Sequence, residues 1–342
     1  MSRTKSLHER ALRLIPGGAH TYSKGDDQFP ENAPALLERG LGCYTWDPDG
    51  NRWLDYGMGL RSVILGHAHE PVLAAVRAQL ERGSNFTRPS PIEGELAEQL
   101  QELIPCAQMS KFTKNGSDAT SAAVRLARAY TGRDLVAASK TNPFYSFDDW
   151  WIGSTPVSSG IPRAVGELTL LFDFNDLASL QALFDAHPGG IACVILEPVA
   201  LEPPRPGFLE AVVALGHKNG ALVIFDEMIT GFRYHLSGAQ GLYGVLPDLA
   251  TYGKALANGF SVSAVCGSKE VMRLGGLEHD RDRVFLLSAT HGAETHALAA
   301  ALATLAALRA NDVAGHIQTG RAPQSRHPPG GARLRHRRKG RL

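Results

Sequence analysis

The run Val223-Ile224-Phe225-Asp226-Glu227 constrains this chain more than any other stretch. An apolar run closing on acids reads as a strand buried on both faces, with carboxylates at its C-terminal end. In an open α/β sheet that end is where ligands bind. Lys254 follows Asp226 in a segment punctuated by Gly253 and Gly259, where backbone can approach a ligand closely.

Three readings of this acid and lysine compete. In the plainest, Asp226 caps a helix and Lys254 is solvated. In the second, a strand ending in Asp-Glu is the magnesium site of a P-loop ATPase. That site needs G-x-x-x-x-G-K-[ST] upstream, and the string occurs nowhere in the chain. In the third, the pair serves pyridoxal 5'-phosphate (PLP): a lysine amine forms the covalent link, and a buried carboxylate keeps the ring nitrogen protonated. The lysine must be neutral to attack an aldehyde, and partial burial near positive charge lowers its pKa.

Around this stretch the sequence alternates strand and helix signals: Leu135 to Ser139, Leu168 to Phe172, Leu177 to Phe184, Ile191 to Val199, Phe208 to His217 and Ala221 to Glu227. That rhythm predicts a parallel sheet wrapped by helices. Helices are also expected over Ser6 to Ile15, Pro71 to Arg82, Ile92 to Leu103 and Glu294 to Ala310, and a hairpin over Gly42 to Tyr56 around Asp47-Pro48-Asp49-Gly50-Asn51. Asn115-Gly116-Ser117-Asp118-Ala119 opens another helix, and a short polar turn at a helix start is an anion site as well as a common cap. Phe144, Tyr145, Phe147, Trp150 and Trp151 cluster after the first of these strands; one ring stacked on a planar cofactor fits, as does ordinary core packing. His67 and His69 have no evident third ligand, so no metal is expected.

With 44% hydrophobic and 20% charged residues the 342-residue chain has the composition of a globular enzyme. Ala297 to Leu308 is too short to span a bilayer, Met1 to Leu14 has no apolar signal core, and Cys43, Cys106, Cys193 and Cys266 show no C-x-x-C spacing. A cytoplasmic protein with reduced thiols and no membrane or nucleic-acid partner is expected. The tail is different. From Thr319 to Leu342 there are eight Arg and Lys residues, no acid, and too few large apolar side chains for a core.

Taken in order, Asn115-Gly116-Ser117-Asp118-Ala119, Leu196-Glu197-Pro198, Phe225-Asp226-Glu227, Thr230-Gly231-Phe232-Arg233 and Pro247-Asp248-Leu249 leading to Gly253-Lys254 resemble the class III, fold-type I, PLP-dependent aminotransferases. Glutamate-1-semialdehyde 2,1-aminomutase and its aminotransferase relatives are the nearest in pattern. The resemblance covers roughly Leu12 to Val313 and implies an α/β PLP-transferase fold, with a mostly parallel sheet wrapped by helices in the large domain. It also implies a homodimer, and an amino group moved from a small-molecule donor to a carbonyl acceptor through pyridoxamine phosphate. Lys254 would then be the covalent lysine and Asp226 the partner of the pyridine nitrogen. Gly116 and Ser117 would hold the phosphate, with Thr290 lent by the neighbouring subunit. Phe144 would stack on the ring, and Glu197, the acid of an E-P motif, joins the cofactor-binding set.

The sequence departs from the family's pattern in places. Phe144-Tyr145-Ser146 replaces Tyr-His-Gly. Lys24 lies near the position where aminomutases carry a carboxylate-binding Arg, and Leu60 stands for their Trp, with Arg61 directly after it. Lys24 and Arg61 are the candidate substrate-binding residues. These changes favour an aminotransferase over the aminomutase proper. Residues 1–64 are expected to start a small domain, 65–312 to form the large PLP-binding domain, and 313–342 to be a disordered basic tail. That tail would stand where the family continues, leaving the small domain incomplete and the chain truncated or frameshifted, poorly soluble and nearly inactive; the alternatives are the aminomutase and a truncated inactive product.

Overall fold

The computed structural model describes residues 2–319. Its centre is a seven-stranded sheet in the order β4 (Met109–Thr113), β10 (Ser263–Gly267), β9 (Leu249–Tyr252), β8 (Leu222–Asp226), β7 (Ile191–Leu196), β5 (Leu135–Ser139) and β6 (Thr169–Phe172). The ladder from β9 to β6 is parallel, whereas β10 runs antiparallel to both its neighbours. Strands β5, β6, β7 and β8 fall where the apolar runs predict them. The strand β8 is buried at every position, which accounts for its unbroken apolar sequence.

Side chains alternate across the sheet, and each face has its own core. On one side Val223, Phe225, Ala250 and Tyr252 pack with the helices Glu70–Leu80, Pro91–Leu103, Phe208–Lys218 and Thr295–Ala310. On the other, Leu222, Ile224, Val136 and Ile195 pack against Ala122, Ala123, Leu126 and Ala127 of the helix Gly116–Thr131. The two-residue period puts Asp226 on the same face as Leu222 and Ile224, toward that helix. The Ala/Leu-rich helix Thr295–Ala310 is apolar nearly all round because it is buried, with Leu298, Ala300, Thr304 and Leu308 fully enclosed. No helix among the described residues is long and apolar enough to cross a membrane.

Before this body come the helix Arg3–Leu14 and an antiparallel sheet of three short strands, β1 (Arg39–Leu41), β2 (Tyr44–Trp46) and β3 (Arg52–Leu54). The predicted hairpin is β2–β3. Asp47 holds its turn by accepting from the backbone of Asp49 and Asn51 and from Trp53 Nε1. Leu14, Tyr22, Leu37, Leu41, Leu54 and Tyr56 are exposed in this part of the chain. At the other end, Val313–Thr319 forms a short helix within the segment expected to be tail; residues 320–342 of that segment lie outside the described residues. All four cysteines are free, and burial pushes the thiols of Cys193 and Cys266 up to about 12. Those two thiols pack as small hydrophobes.

Candidate active site

The C-terminal ends of β4, β9, β8, β7 and β5 point the same way and bring Gly116, Lys254, Asp226, Glu197 and Tyr145 to one edge of the sheet. Asp226 is the last residue of β8 and is 2% exposed. Its Oδ1 accepts from Met228 N and from Thr251 Oγ1, each at 3.0 Å. Burial pushes the carboxyl up, while Lys254 and these two hydrogen bonds pull it down. An acid held in this way is shaped to meet a buried cation.

Lys254 begins a short 3₁₀ turn, Lys254–Ala257, two residues after β9 ends. Its φ of +41° is unusual for a side chain-bearing residue. Burial lowers its pKa first, and Arg61 and Arg233 lower it further; Asp226 and Glu197 oppose them. The direction is the one a nucleophilic amine needs. Asn258, which ends the turn, receives Leu65 N at Oδ1 (2.8 Å) and donates to Gly66 O (3.0 Å), tying the lysine loop to the connector that follows β3.

Facing them is the start of the helix Gly116–Thr131. Asn115 caps it by accepting from Asp118 N at 3.0 Å, and the first amides of any helix have no partner within it. A Cβ on Gly116 would lie 2.9 Å from Met228 Sδ, so glycine allows the turn to sit against the Asp226 loop. Ser117 Oγ accepts from Phe147 N at 3.0 Å, which leaves its hydroxyl proton as a donor. Together these amides and this hydroxyl suit a phosphate.

Glu197, 8% exposed at the end of β7, is the third acid at this edge. Burial and the neighbouring Asp226 push its carboxyl up to about 8, against the pull of Lys254, Asn142 and Arg61. Tyr145 is 2% exposed, donates to Ser139 O at 3.3 Å, and has its hydroxyl pKa raised by burial and by Glu197 and Asp226. Phe144, its neighbour, is 51% exposed and belongs to neither core. The rest of the aromatic cluster divides the same way. Tyr145, Trp150 and Trp151 are buried, with the Tyr145 and Trp151 rings edge to face at 4.8 Å, and Phe147 is exposed.

The remaining predicted residues are exposed. Thr290 is exposed in an irregular segment, its carbonyl accepting from Asn85 Nδ2 at 2.9 Å. Lys24 is exposed on the turn Tyr22–Lys24. Arg61 is exposed too, yet it is near enough to act on Lys254, Glu197 and Arg233. His67 is occupied by Asp55, with Nε2 2.7 Å from Oδ2.

Glu227 removes the magnesium reading on its own. Its carboxylate receives Ala239 N (2.8 Å), Gln240 N (3.0 Å) and the Thr230 hydroxyl, at the start of the short helix Gly238–Tyr243. It is fully buried and turned away to cap a helix. The residues that sequence reasoning left without a role are Thr251, Met228, Asn142, Tyr145 and Arg233. Arg233 alone carried a signal: an arginine in an apolar stretch just past the strand, where an unpaired charge is costly.

The sequence profile described as Aminotransferase class-III matches residues 27–325. The 3-aminobutyryl-CoA aminotransferase of Cloacimonas acidaminovorans (strain Evry) is 36% identical over 89% of this chain and 72% of its own length. The glutamate-1-semialdehyde 2,1-aminomutase of Syntrophobacter fumaroxidans is 39% identical over 79% of this chain and 65% of its own length. Among solved structures, the FumI protein of Sphingopyxis sp. MTA144 in its PLP internal aldimine form superposes with a TM-score of 0.81 at 32% identity, covering 90% of this chain and 73% of that one. The chain thus spans about two thirds to three quarters of the length of these relatives. With the buried Asp226, the low-pKa Lys254 and the open helix start converging on one sheet edge, this chain belongs to the class-III aminotransferase family.

Proposed function

We propose that this protein is a PLP-dependent aminotransferase that moves an amino group from a small-molecule donor to a carbonyl acceptor. The observation that carries the reading is Asp226. It is a carboxylate buried at the end of the central strand, within electrostatic reach of Lys254 and on the face covered by the helix Gly116–Thr131. Two hydrogen bonds and Lys254 offset only part of the cost of burying this charge, and a protonated ring nitrogen would supply a further cation.

The residues present fit PLP. When bound, the cofactor supplies an electron sink for the substrate's Cα–H bond. Asp226 keeps the ring nitrogen charged, and Thr251 and Met228 N keep Asp226 in place. The amides of Gly116 and Ser117 and the Ser117 hydroxyl receive the phosphate. Lys254, its pKa lowered by burial and by Arg61 and Arg233, carries the proton to and from the substrate carbon as general base and acid. Phe144 would stack on the ring, and Glu197, with its carboxyl pushed up to about 8, would line the site as a hydrogen-bond donor at pH 7.

The exposed segment that carries Thr290 also exposes Leu277 (77%) and Phe285 (75%). We assign it to a homodimer contact through which Thr290 reaches the partner's phosphate site. The four free cysteines accord with a cytosolic enzyme. Residues 1–64 form the beginning of a small domain on the large domain of residues 65–312.

A second reading, the intramolecular aminomutase, is favoured by the 39% identity to the S. fumaroxidans protein. Against it stand Lys24, an exposed lysine near where aminomutases carry an arginine, and Leu60 in the place of a tryptophan.

The test is spectroscopic. Purified protein incubated with PLP should develop a visible absorbance band that borohydride abolishes, leaving a pyridoxyl group on Lys254 by peptide mapping. Amino donors should bleach the band and α-keto acids restore it. A chain that takes up no PLP, or is labelled elsewhere, refutes the reading.

A further inference from the structure

We propose that the turn Met58–Arg61 sets the substrate class: it presents Arg61 beside Lys254 to bind a carboxylate carried by the amino donor, and Arg233 positions it. The inference rests on Lys254 being the cofactor lysine of an aminotransferase.

Four consecutive residues of this turn have positive φ: Met58 (47°), Gly59 (57°), Leu60 (58°) and Arg61 (69°). Three of them carry side chains that disfavour the conformation, so surrounding contacts must impose it. Asp55 does so from below, accepting Met58 N (3.0 Å) and Gly59 N (3.2 Å) while His67 Nε2 fixes its Oδ2 at 2.7 Å. Ser62 Oγ donates to Gly59 O at 2.7 Å. From the far side Arg233, 7% exposed, donates through Nη2 to Arg61 O at 2.6 Å. Its Nε donates to Ile229 O at 3.0 Å, which anchors it to the loop after β8. Both bonds of Arg233 thus go to backbone carbonyls, which is the geometry of a brace.

The connector after the turn is fastened to the lysine loop. Leu65 N and Gly66 O bond to Asn258, and a Cβ on Gly259 would touch Val63 Cγ2 at 3.3 Å. Arg61 is therefore held at a fixed place relative to Lys254, with a solvent-exposed side chain. Among the described residues neither Arg61 nor Arg233 forms an ion pair. Glu197 is the acid nearest in effect, and with its carboxyl pushed up to about 8 it is mainly neutral at pH 7. Arg61 and Arg233 thus both act on the charge of the reacting amine, and neither has a carboxylate partner among the described residues. A carboxylate matches the planar fork of a guanidinium. A donor without one leaves the charge unmatched.

The test compares alanine, β-alanine and γ-aminobutyrate with their amides as donors to the full chain loaded with PLP, reading the concentration that half-bleaches the visible band. Wild type should favour at least one acid over its amide. Arg61→Gln should reduce that acid-to-amide preference about tenfold or more, the range for a charged hydrogen bond, and Arg61→Lys should reduce it less. Arg233→Gln should lower the preference with the band intact, and Arg233→Lys should restore part of it; an unchanged preference in Arg233→Gln removes its positioning role. If PLP loads but Arg61→Gln leaves the preference unchanged, or wild type takes amides as readily as acids, the inference fails and the aminotransferase reading stands. If PLP does not load at all, both fail.

Discussion

Asp226 and Thr251 are register partners on adjacent parallel strands, and Thr251 Oγ1 donates to Asp226 Oδ1 at 3.0 Å while Thr251 O accepts Glu227 N at 3.0 Å. One residue therefore aims the two consecutive acids in opposite directions: Asp226 toward the sheet edge that carries Lys254, Glu227 back into the protein to cap a helix. Thr251→Val keeps the shape and removes the donor. Since hydrogen bonds to charged groups contribute about 1.5–3 kcal/mol, PLP affinity should fall about tenfold to a hundredfold. Equilibrium dialysis measures it, and an unchanged dissociation constant would separate Thr251 from the cofactor.

Asp226→Asn should fold normally, since an amide still fills the site and accepts from Met228 N. It cannot hold a ring cation. The expected result is PLP binding with the donor half-reaction slowed by several orders of magnitude, each pKa unit lost at the ring nitrogen corresponding to about 1.4 kcal/mol. Stopped-flow bleaching of the visible band checks this; a near-normal rate would take Asp226 out of its assigned role.

Lys254→Ala removes the amine that the assignment makes covalent. No borohydride-stable pyridoxyl label should remain on the variant, and its PLP should dialyse away. A label of wild-type stoichiometry would mean another lysine forms the link.

Gly253 precedes that lysine in a tightly packed place. A Cβ there would meet Ser263 Oγ at 2.5 Å and Met228 Sδ at 2.6 Å. Gly253→Ala should cost about 1–3 kcal/mol by overpacking and displace Lys254, so that the urea midpoint falls and labelling slows together. If stability falls while labelling keeps its rate, Lys254 is not positioned through this glycine.

How much of this was legible in the sequence depended on how local the cause was. The strands β5, β7 and β8 are buried on both faces, and the edge strand β6 is apolar too although Leu171 is exposed, so their apolar runs announce them. Asp226, Lys254, Gly116 and Ser117 stand at strand ends and a helix start, positions that punctuation in the sequence marks. The strands β4 and β10 are different. Met109–Thr113 is a half-exposed edge with a lysine in it, and its partner lies over a hundred residues away, so no local pattern reveals the pairing. Arg233 holding Arg61 O, and Asn258 holding Leu65 and Gly66, are likewise contacts across the fold. The left-handed turn Met58–Arg61 was hidden for another reason: only one of its four residues is glycine, and its conformation is imposed by Asp55 and Arg233.

Glu197 gives the site a pH dependence with a definite sign. Its carboxyl, ordinarily near 4.5, is pushed up to about 8 in the folded protein by burial and by Asp226. Between those values the native state keeps a proton that the unfolded chain has released, so stability falls as pH rises. The contribution of neutral Glu197 is complete below the unfolded value and is lost as pH climbs through about 8. Lys254 works the other way at higher pH. Its folded pKa is lowered, so the unfolded chain binds more protons above that value and stability gains as pH rises. Glu197→Gln is neutral at every pH. Without added PLP, its urea midpoint should gain on wild type as pH is raised from about 5 to about 8, because only in wild type must folding return to a carboxyl a proton that the unfolded chain has released in that interval. The difference between the two proteins, rather than either curve alone, isolates Glu197 from the other titrating groups. A difference that stays flat across the interval would mean that Glu197 is already ionised near pH 5, and with it would go the assignment of Arg61 as a cation without an acid partner.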